Sequence, residues 1–308
     1  MSFKQNSIYV IGSINTDMVV MTEKLPAPGE TVMGGEFMMT SGGKGANQAV
    51  SAVRLGGEVT MVGRLGKDIF GDQSIKRLND ENINCEFIGR DALAASGVAL
   101  ISVDNNGENH IVVAPGANNQ LDKKTVKAAL DAMPDNAIIL LQLEVPLETV
   151  AYVIESSRES SRRVILDPAP APMTALPSNF LNGLYLITPN ETEATQLSGI
   201  EVRDNKSAEV AARKLLATGV KNVAITMGAK GVVLAQENTV KFVQSPQVKA
   251  IDTTAAGDCF NGALSVAIAS GLSLEEGIER ACLAASISVT RKGAQDSMPY
   301  IKEVDACL

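Results

Sequence analysis

Short apolar runs alternate with amphipathic stretches along most of the chain. SIYVIG (7–12) is apolar and stops at a glycine, the mark of a buried strand. EVTMVGRLG (58–66), NAIILLQLE (136–144), RRVILDPAP (162–170) and NGLYLITPN (182–190) read the same way. Between them, apolar residues fall at helical spacing in 46–57, 68–83, 121–133, 146–160, 191–199 and 207–219, several with a glycine stop. A hairpin is predicted over 222–236, a core helix from Cys259 and a last helix over 274–290. Strands alternating with helices imply an α/β fold with a mostly parallel central sheet covered on both faces. Two stretches break the rhythm. MVVMTEKLP and TVMGGEFMMTSGG (18–26, 31–43) have no helix between them and predict an antiparallel pair. GVALISVD and NHIVVAPG flank Asn106-Gly107 and predict a hairpin. Joined as one small sheet, these segments (about 16–41 and 97–114) would form a β lid on a single domain spanning 1–308.

Charge and cysteine usage narrow the classes. A net charge of −8 and a pI near 4.9 argue against a nucleic-acid surface. Cys85, Cys259, Cys282 and Cys307 are scattered with no CxxC pair, which suits reduced thiols in the cytosol. His110 is the only histidine, so a histidine-rich metal centre is excluded, and no GxSxG elbow accompanies it. The N-terminal apolar run is too short for a signal peptide, and no stretch approaches the ~18 residues of a spanning helix. A soluble, cytoplasmic protein with no membrane partner is expected.

The stretch DTTAAGDCFNG (252–262) reads as a strand end, a tight turn and a helix N-terminus. Ala255, Ala256 and Gly257 carry no bulk, so a ligand can approach backbone N–H groups that a first helical turn leaves unpaired. An anion is the natural occupant, and Asp258 stands beside it as a group able to take a proton. A plain capped helix explains the same residues. Further polar residues sit where open α/β sheets bind ligands, beyond the strand ends: Asn15 and Asp17 after the first strand, Glu144, then Asn190 and Glu193. GGKGANQ (42–48) lacks the Walker A pattern; it is either a hinge with a solvated lysine or a close approach to a polyol, with Lys44 and Asn47 as donors. Asn190 and Glu193 have capping-box spacing, which competes with a place near magnesium and phosphate. TMGAKG (226–231) is a hairpin turn that can also offer Thr226 and N–H groups to a nucleotide.

GSINTD, GGKGANQA, QLE, TPNETEA, TMGAKG and DTTAAGD, in this order and spacing, resemble the pfkB-type carbohydrate kinase family, its ribose-phosphorylating members in particular. The resemblance spans essentially the whole chain. It implies an α/β sandwich with a β-sheet lid that closes on the sugar and often joins two protomers into a homodimer. It implies ATP-dependent phosphorylation of D-ribose at the 5-hydroxyl. Asn15, Asp17, Gly43, Lys44, Asn47 and Glu144 would hold sugar hydroxyls, Asp258 would take the proton, and Ala255, Ala256 and Gly257 would form the anion hole. Asn190, Glu193, Thr226, Gly228, Lys230 and Gly231 would serve ATP and magnesium (Mg2+), with Cys282 near the adenine. Potassium (K+) would sit at Asp252, Thr254, Ser288, Arg291, Gly293 and Ser297. Asp296 departs from the family run, which has proline there, and predicts a looser Ser297. Rival readings are a kinase for 2-deoxyribose, another sugar or a nucleoside, and a non-catalytic sugar sensor. A dinucleotide oxidoreductase is disfavoured, because GxGxxG is missing after the first strand.

Overall fold

The computed structural model describes residues 6–172, 176–177 and 179–307; residues 1–5, on which the signal-peptide reading partly rests, lie outside them. The first half runs β1 (Ile8–Ile11), β2 (Asn15–Met21), β3 (Phe37–Gly42), α1 (Lys44–Arg54), β4 (Val59–Gly66), α2 (Ile69–Asp80), β5 (Asn84–Asp91), β6 (Gly97–Val103), β7 (Asn109–Ala114) and α3 (Lys123–Ala132). It continues through β8 (Ile138–Leu141), α4 (Leu147–Ser157), β9 (Arg163–Leu166), β10 (Leu186–Ile187), α5 (Glu191–Ser198), α6 (Asn205–Leu216) and β11 (Asn222–Thr226). The chain ends in β12 (Val232–Gln236), β13 (Thr239–Val243), α7 (Ala256–Ala269), α8 (Leu274–Ser288) and α9 (Ile301–Asp305).

The larger sheet has the order β13-β12-β11-β10-β9-β8-β1-β4-β5, parallel except at β11/β12 and β12/β13. Strands β1 and β8 are apolar throughout because both faces are covered. Alternation along β1 divides the core. Ile8 and Val10 pack with residues of α1, α7 and α8, whereas Tyr9 and Ile11 face residues of α3, α4 and α6. The C-terminal segment is fastened by Arg54 at the end of α1. Its Nη1 donates to the carbonyls of Gln295 (2.7 Å) and Met298 (3.0 Å), while Nε and Nη2 hold Glu81.

The second sheet, β3-β2-β6-β7, contains the two predicted antiparallel pairs joined by a parallel contact between β2 and β6. Three residues, 12–14, separate the end of β1 from the start of β2, so both sheets spring from this segment.

Three expectations need correcting. No strand leads to Asp252. The amides of Ile251 and Asp252 both donate to the carbonyl of Val289, tying this loop to the end of α8 instead of to a sheet. Helix α7 opens at Ala256, before the apolar pattern begins. Strands β5 and β13 are additional; both lie on sheet edges with exposed polar positions, so neither reads as an apolar run. Among the described residues no helix is long and apolar enough to cross a membrane.

Candidate active site

The glycine-rich segment before α1 lies against the backbone leaving β1. Gly43 caps the helix at φ +87°, a left-handed conformation that glycine adopts without strain. A side chain on Gly45 would stand 2.7 Å from the Ser13 amide, and one on Gly42 would overlap the Asp17 carboxylate. This close approach brings Glu144 within reach of both strands of the crossing. Its Oε2 accepts from the Ser13 hydroxyl (2.5 Å) and from the Lys44 amide (3.1 Å). Asn15 is buried, with Oδ1 accepting from Asn118 Nδ2 at 2.7 Å. Asp17, two residues on along β2, is pushed up to about 6 by burial and then by the charges of Glu144 and Asp258.

Asp258 lies in the first turn of α7, 5% exposed. Its Oδ2 accepts from Asn47 Nδ2 (2.9 Å) and its Oδ1 from Gln48 Nε2 (3.0 Å). Burial raises its pKa; Lys44 and the two amides pull it back without cancelling the shift. For the Lys44 ammonium, burial acts downward, and Asp258, Asp167, Glu144 and Glu193 together more than offset it, so the net shift is upward. The preceding residue, Ala255, adopts φ +58°, uncommon for a residue with a side chain. Ala255, Ala256 and Gly257 of this turn line the same cavity of about 200 Å³ as Lys44, Asp167, Glu193 and Asp258, with the Ala256 amide donating to the Thr253 carbonyl at 3.2 Å.

Gln48 and Asp167 belong to this cluster and escaped the sequence reading. Gln48 Nε2 also donates to Asp167 Oδ2 (2.8 Å), and burial holds that carboxyl well above the ordinary range. Both carried a usable signal. Gln48 is a polar residue on the apolar face of α1, and Asp167 follows β9 as Glu144 follows β8.

Asn190 and Glu193 do form a capping box: each side chain accepts from the other's amide, at 2.8 and 2.9 Å. Glu193 nonetheless borders the acid cavity. Residues Gly228–Lys230 make a single 3-10 turn between β11 and β12. Thr226, Gly228 and Gly231 line a groove of about 520 Å³, with apolar walls from Val232, Phe260 and Cys282. Burial pushes the Cys282 thiol up to about 12, so it acts there as an apolar surface. Lys230 is not part of that lining; its ammonium pairs with Glu191 at 3.1 Å. The groove and the acid cavity share Asn190, Thr226, Thr253, Ala256 and Gly257, and so open into each other at the start of α7.

The family model for pfkB family carbohydrate kinases matches residues 5–301. The chain belongs to this family. It is 39% identical to a ribokinase of Haemophilus influenzae over 97% of both chains. A deoxyribokinase of Salmonella typhi is 36% identical over 98% of both. The structure of an Arabidopsis thaliana ribokinase complexed with ribose and ATP superposes with a TM-score of 0.90, at 32% identity and 98% coverage of each chain.

In this pfkB-family chain the residues expected around potassium lie on loops laced together by Asp252. Its Oδ1 accepts from the Thr254 amide and its Oδ2 from the Gly293 amide, both at 2.9 Å. Burial alone would raise this carboxyl, but the Thr254 hydroxyl and the two amides hold it below the usual value. The Arg291 guanidinium is paired with Glu303, and the only oxygen this residue can offer a cation is its backbone carbonyl. Ser288 and Ser297 donate their hydroxyls to Ala285 O (2.9 Å) and Ala294 O (2.8 Å), keeping oxygen lone pairs free. Asp296 pairs with Arg77 of α2, which anchors the turn that carries Ser297. Among the described residues no three His, Cys, Asp or Glu side chains are grouped to hold a metal by themselves.

Proposed function

We propose that the protein transfers the γ-phosphoryl group of ATP to the 5-hydroxyl of D-ribose. Two spaces meet at the start of α7, and this junction carries the reading: a groove with apolar walls sized for a nucleotide, and a cavity lined by a buried carboxylate and a lysine. The sugar would lie over the glycine-rich segment, with Asn15, Asp17, Lys44, Asn47 and Glu144 around it. Asp258 would align the attacking hydroxyl and accept its proton. Phosphoryl transfer passes through a loose transition state, so positioning and charge stabilisation supply most of the acceleration, and a carboxylate serves as a late base. The turn Ala255–Ala256–Gly257 would take the charge on the transferred group, with the Ala256 amide leaving the Thr253 carbonyl to do so.

The donors present suit magnesium held mainly by phosphate. Asp167 and Glu193 offer hard carboxylate oxygens beside the junction, and magnesium commonly takes one or two such groups plus phosphate and water. Bound there, it would neutralise charge on the polyphosphate. The oxygen-only set around Asp252 and Gly293 suits a monovalent cation, which would order the loop leading into α7.

The second sheet would act as a lid over the sugar. Its face opposite Asp17 carries a row across four strands, Met39, Met18, Leu100 and Val112, of which Met39, Leu100 and Val112 are mostly exposed. That face suits a homodimer. Four free, scattered cysteines favour the cytosol. A 2-deoxyribose kinase is the second reading, favoured by the similarity to the Salmonella typhi deoxyribokinase. A sugar sensor is disfavoured by the buried Asp258 and the Lys44 that line one cavity with Ala256 and Gly257.

The deciding experiment assays pentoses, hexoses and nucleosides with Mg-ATP, using the wild type and Asp258→Asn. Ribose should be the preferred acceptor, and the variant should keep ribose binding while kcat falls roughly 10²–10⁴-fold. Near-normal turnover by Asp258→Asn would remove it from the role of base.

A further inference from the structure

Asp258 is held by two arms of side-chain amides that run in opposite directions along the floor of the site. On one arm Gln142 Nε2 donates to Gln48 Oε1 (2.6 Å), and Gln48 Nε2 donates to Asp258 Oδ1 (3.0 Å). On the other, Gln295 Nε2 donates to Asn47 Oδ1 (3.3 Å), and Asn47 Nδ2 donates to Asp258 Oδ2 (2.9 Å). All four amides are buried. An amide can present either its N–H2 or its carbonyl to a neighbour, and a half-turn exchanges them. The outer glutamines remove that choice, because each supplies the donor that the inner carbonyl needs. Gln142 follows β8, and Gln295 sits in the turn whose carbonyl Arg54 grips, so the backbone of each outer member is held from outside the site, while its own Oε1 is buried with no hydrogen-bond partner among the described residues.

We propose that Gln142 and Gln295 are positioning residues for Asp258: each locks an inner amide so that both carboxylate oxygens face N–H donors. The proposal rests on Asp258 as the base. With both oxygens so occupied, the ionised carboxylate is favoured and its remaining lone pairs are aimed at the attacking hydroxyl. The other groups acting on Asp258 are Lys44 on α1, Cys259 beside it on α7, Glu144 after β8, Asp167 after β9, Glu193 on α5 and Asp17 on β2. Replacing either outer glutamine by methionine leaves every one of them in place.

The test is the pH profile of kcat at saturating ribose in Gln142→Met, which removes the binding group Asp17 from the acidic limb, together with a double-mutant cycle with Gln48→Met. The expected outcome is a roughly tenfold lower kcat with a ribose KM within about twofold. The acidic limb should move up by about one pH unit, because the carboxylate has lost a donor. Gln142→Met should add little in the Gln48→Met background, since it acts through that residue. If Gln142→Met does not fold, Gln295→Met with Asn47→Ala gives the same cycle on the other arm. An unmoved acidic limb with unchanged kcat overturns the proposal, and so do losses that simply add. The two readings fail separately. Turnover by Asp258→Asn removes the base, whereas a dead Asp258→Asn beside an unaffected Gln142→Met removes only the positioning role.

Discussion

Asp17 titrates close to working pH. Its carboxyl is pushed to about 6 by burial and by two neighbouring negative charges, against 3.8 in the unfolded chain. Because the folded value is the higher one, the folded state binds the extra proton between these values. That contribution to stability is complete below 3.8 and is lost as pH rises through 6. Sugar binding runs the other way, since an ionised carboxylate accepts hydrogen bonds from hydroxyls at both oxygens. Ribose affinity is therefore expected to weaken about tenfold per pH unit below 6; a calorimetric Kd that stays flat from pH 7.5 to 5 would count against this role. Asn15 is expected to decide between sugars. Its Oδ1 is held by Asn118, so its N–H2 is the group left to offer a hydroxyl. A buried donor left unpaired costs about 1–3 kcal/mol, so ribose should exceed 2-deoxyribose by roughly tenfold or more in kcat/KM. Asn15→Met should narrow that gap mainly by harming ribose. If Asn15 only braces Asn118, the variant melts earlier and keeps its sugar ratio. The candidate residues that were legible in the sequence share one trait: they lie in glycine-rich or strand-end segments whose geometry has few alternatives. Gln48 was not singled out because a buried amide looks like any polar residue in a helix until its partners, 94 and 210 positions away, are known.

Among the elements, α7 and the loop before it depart most from their sequence pattern. Thr253 and Thr254 and the apolar Val248 and Ile251 favour an extended chain, yet the sheet has no strand beside them to accept it. Their backbone bonds go to Val289 and, through Asp252, to Thr254 and Gly293. What looked like strand is a loop braced from the side, and its last residue, Ala255, takes up the strained turn that leads into α7. A cation binding the oxygens of these loops would stiffen that turn. Potassium is therefore expected to raise the rate, and equal rates in sodium and potassium at matched ionic strength would contradict this. By contrast, the parallel strands β1, β4, β8 and β9 were readable because burial on both faces leaves an unbroken apolar run. Edge strands β5 and β13 were not, since half of each faces water.

For the molecule as a whole, the second sheet has two unlike faces. Residues of β2 alternate, so Asn15 and Asp17 look toward the site while Met18 and Val20 look away. The outward row of Met39, Met18, Leu100 and Val112 is an apolar patch that a solitary soluble protein rarely leaves uncovered. Leu100→Glu is expected to turn a dimer into a monomer in sedimentation; a wild type that sediments as a monomer at micromolar concentration would show the patch has no such use. The long reach of the amide arms has a further consequence, in the order of synthesis. Gln48 and Asp258 are 210 residues apart, and Asn47 and Gln295 are 248 apart. At about 5–20 residues per second, Asp258 emerges from the ribosome roughly 10–40 s after Gln48. Through that interval Gln48, Gln142 and Asp167 have no α7 to cover them and must keep their water. A nascent chain can thus assemble β1, β4, β8 and β9 early, yet it stays open at the floor of the site. Burial of the site's floor therefore waits for the segment that carries Asp258 and Gln295.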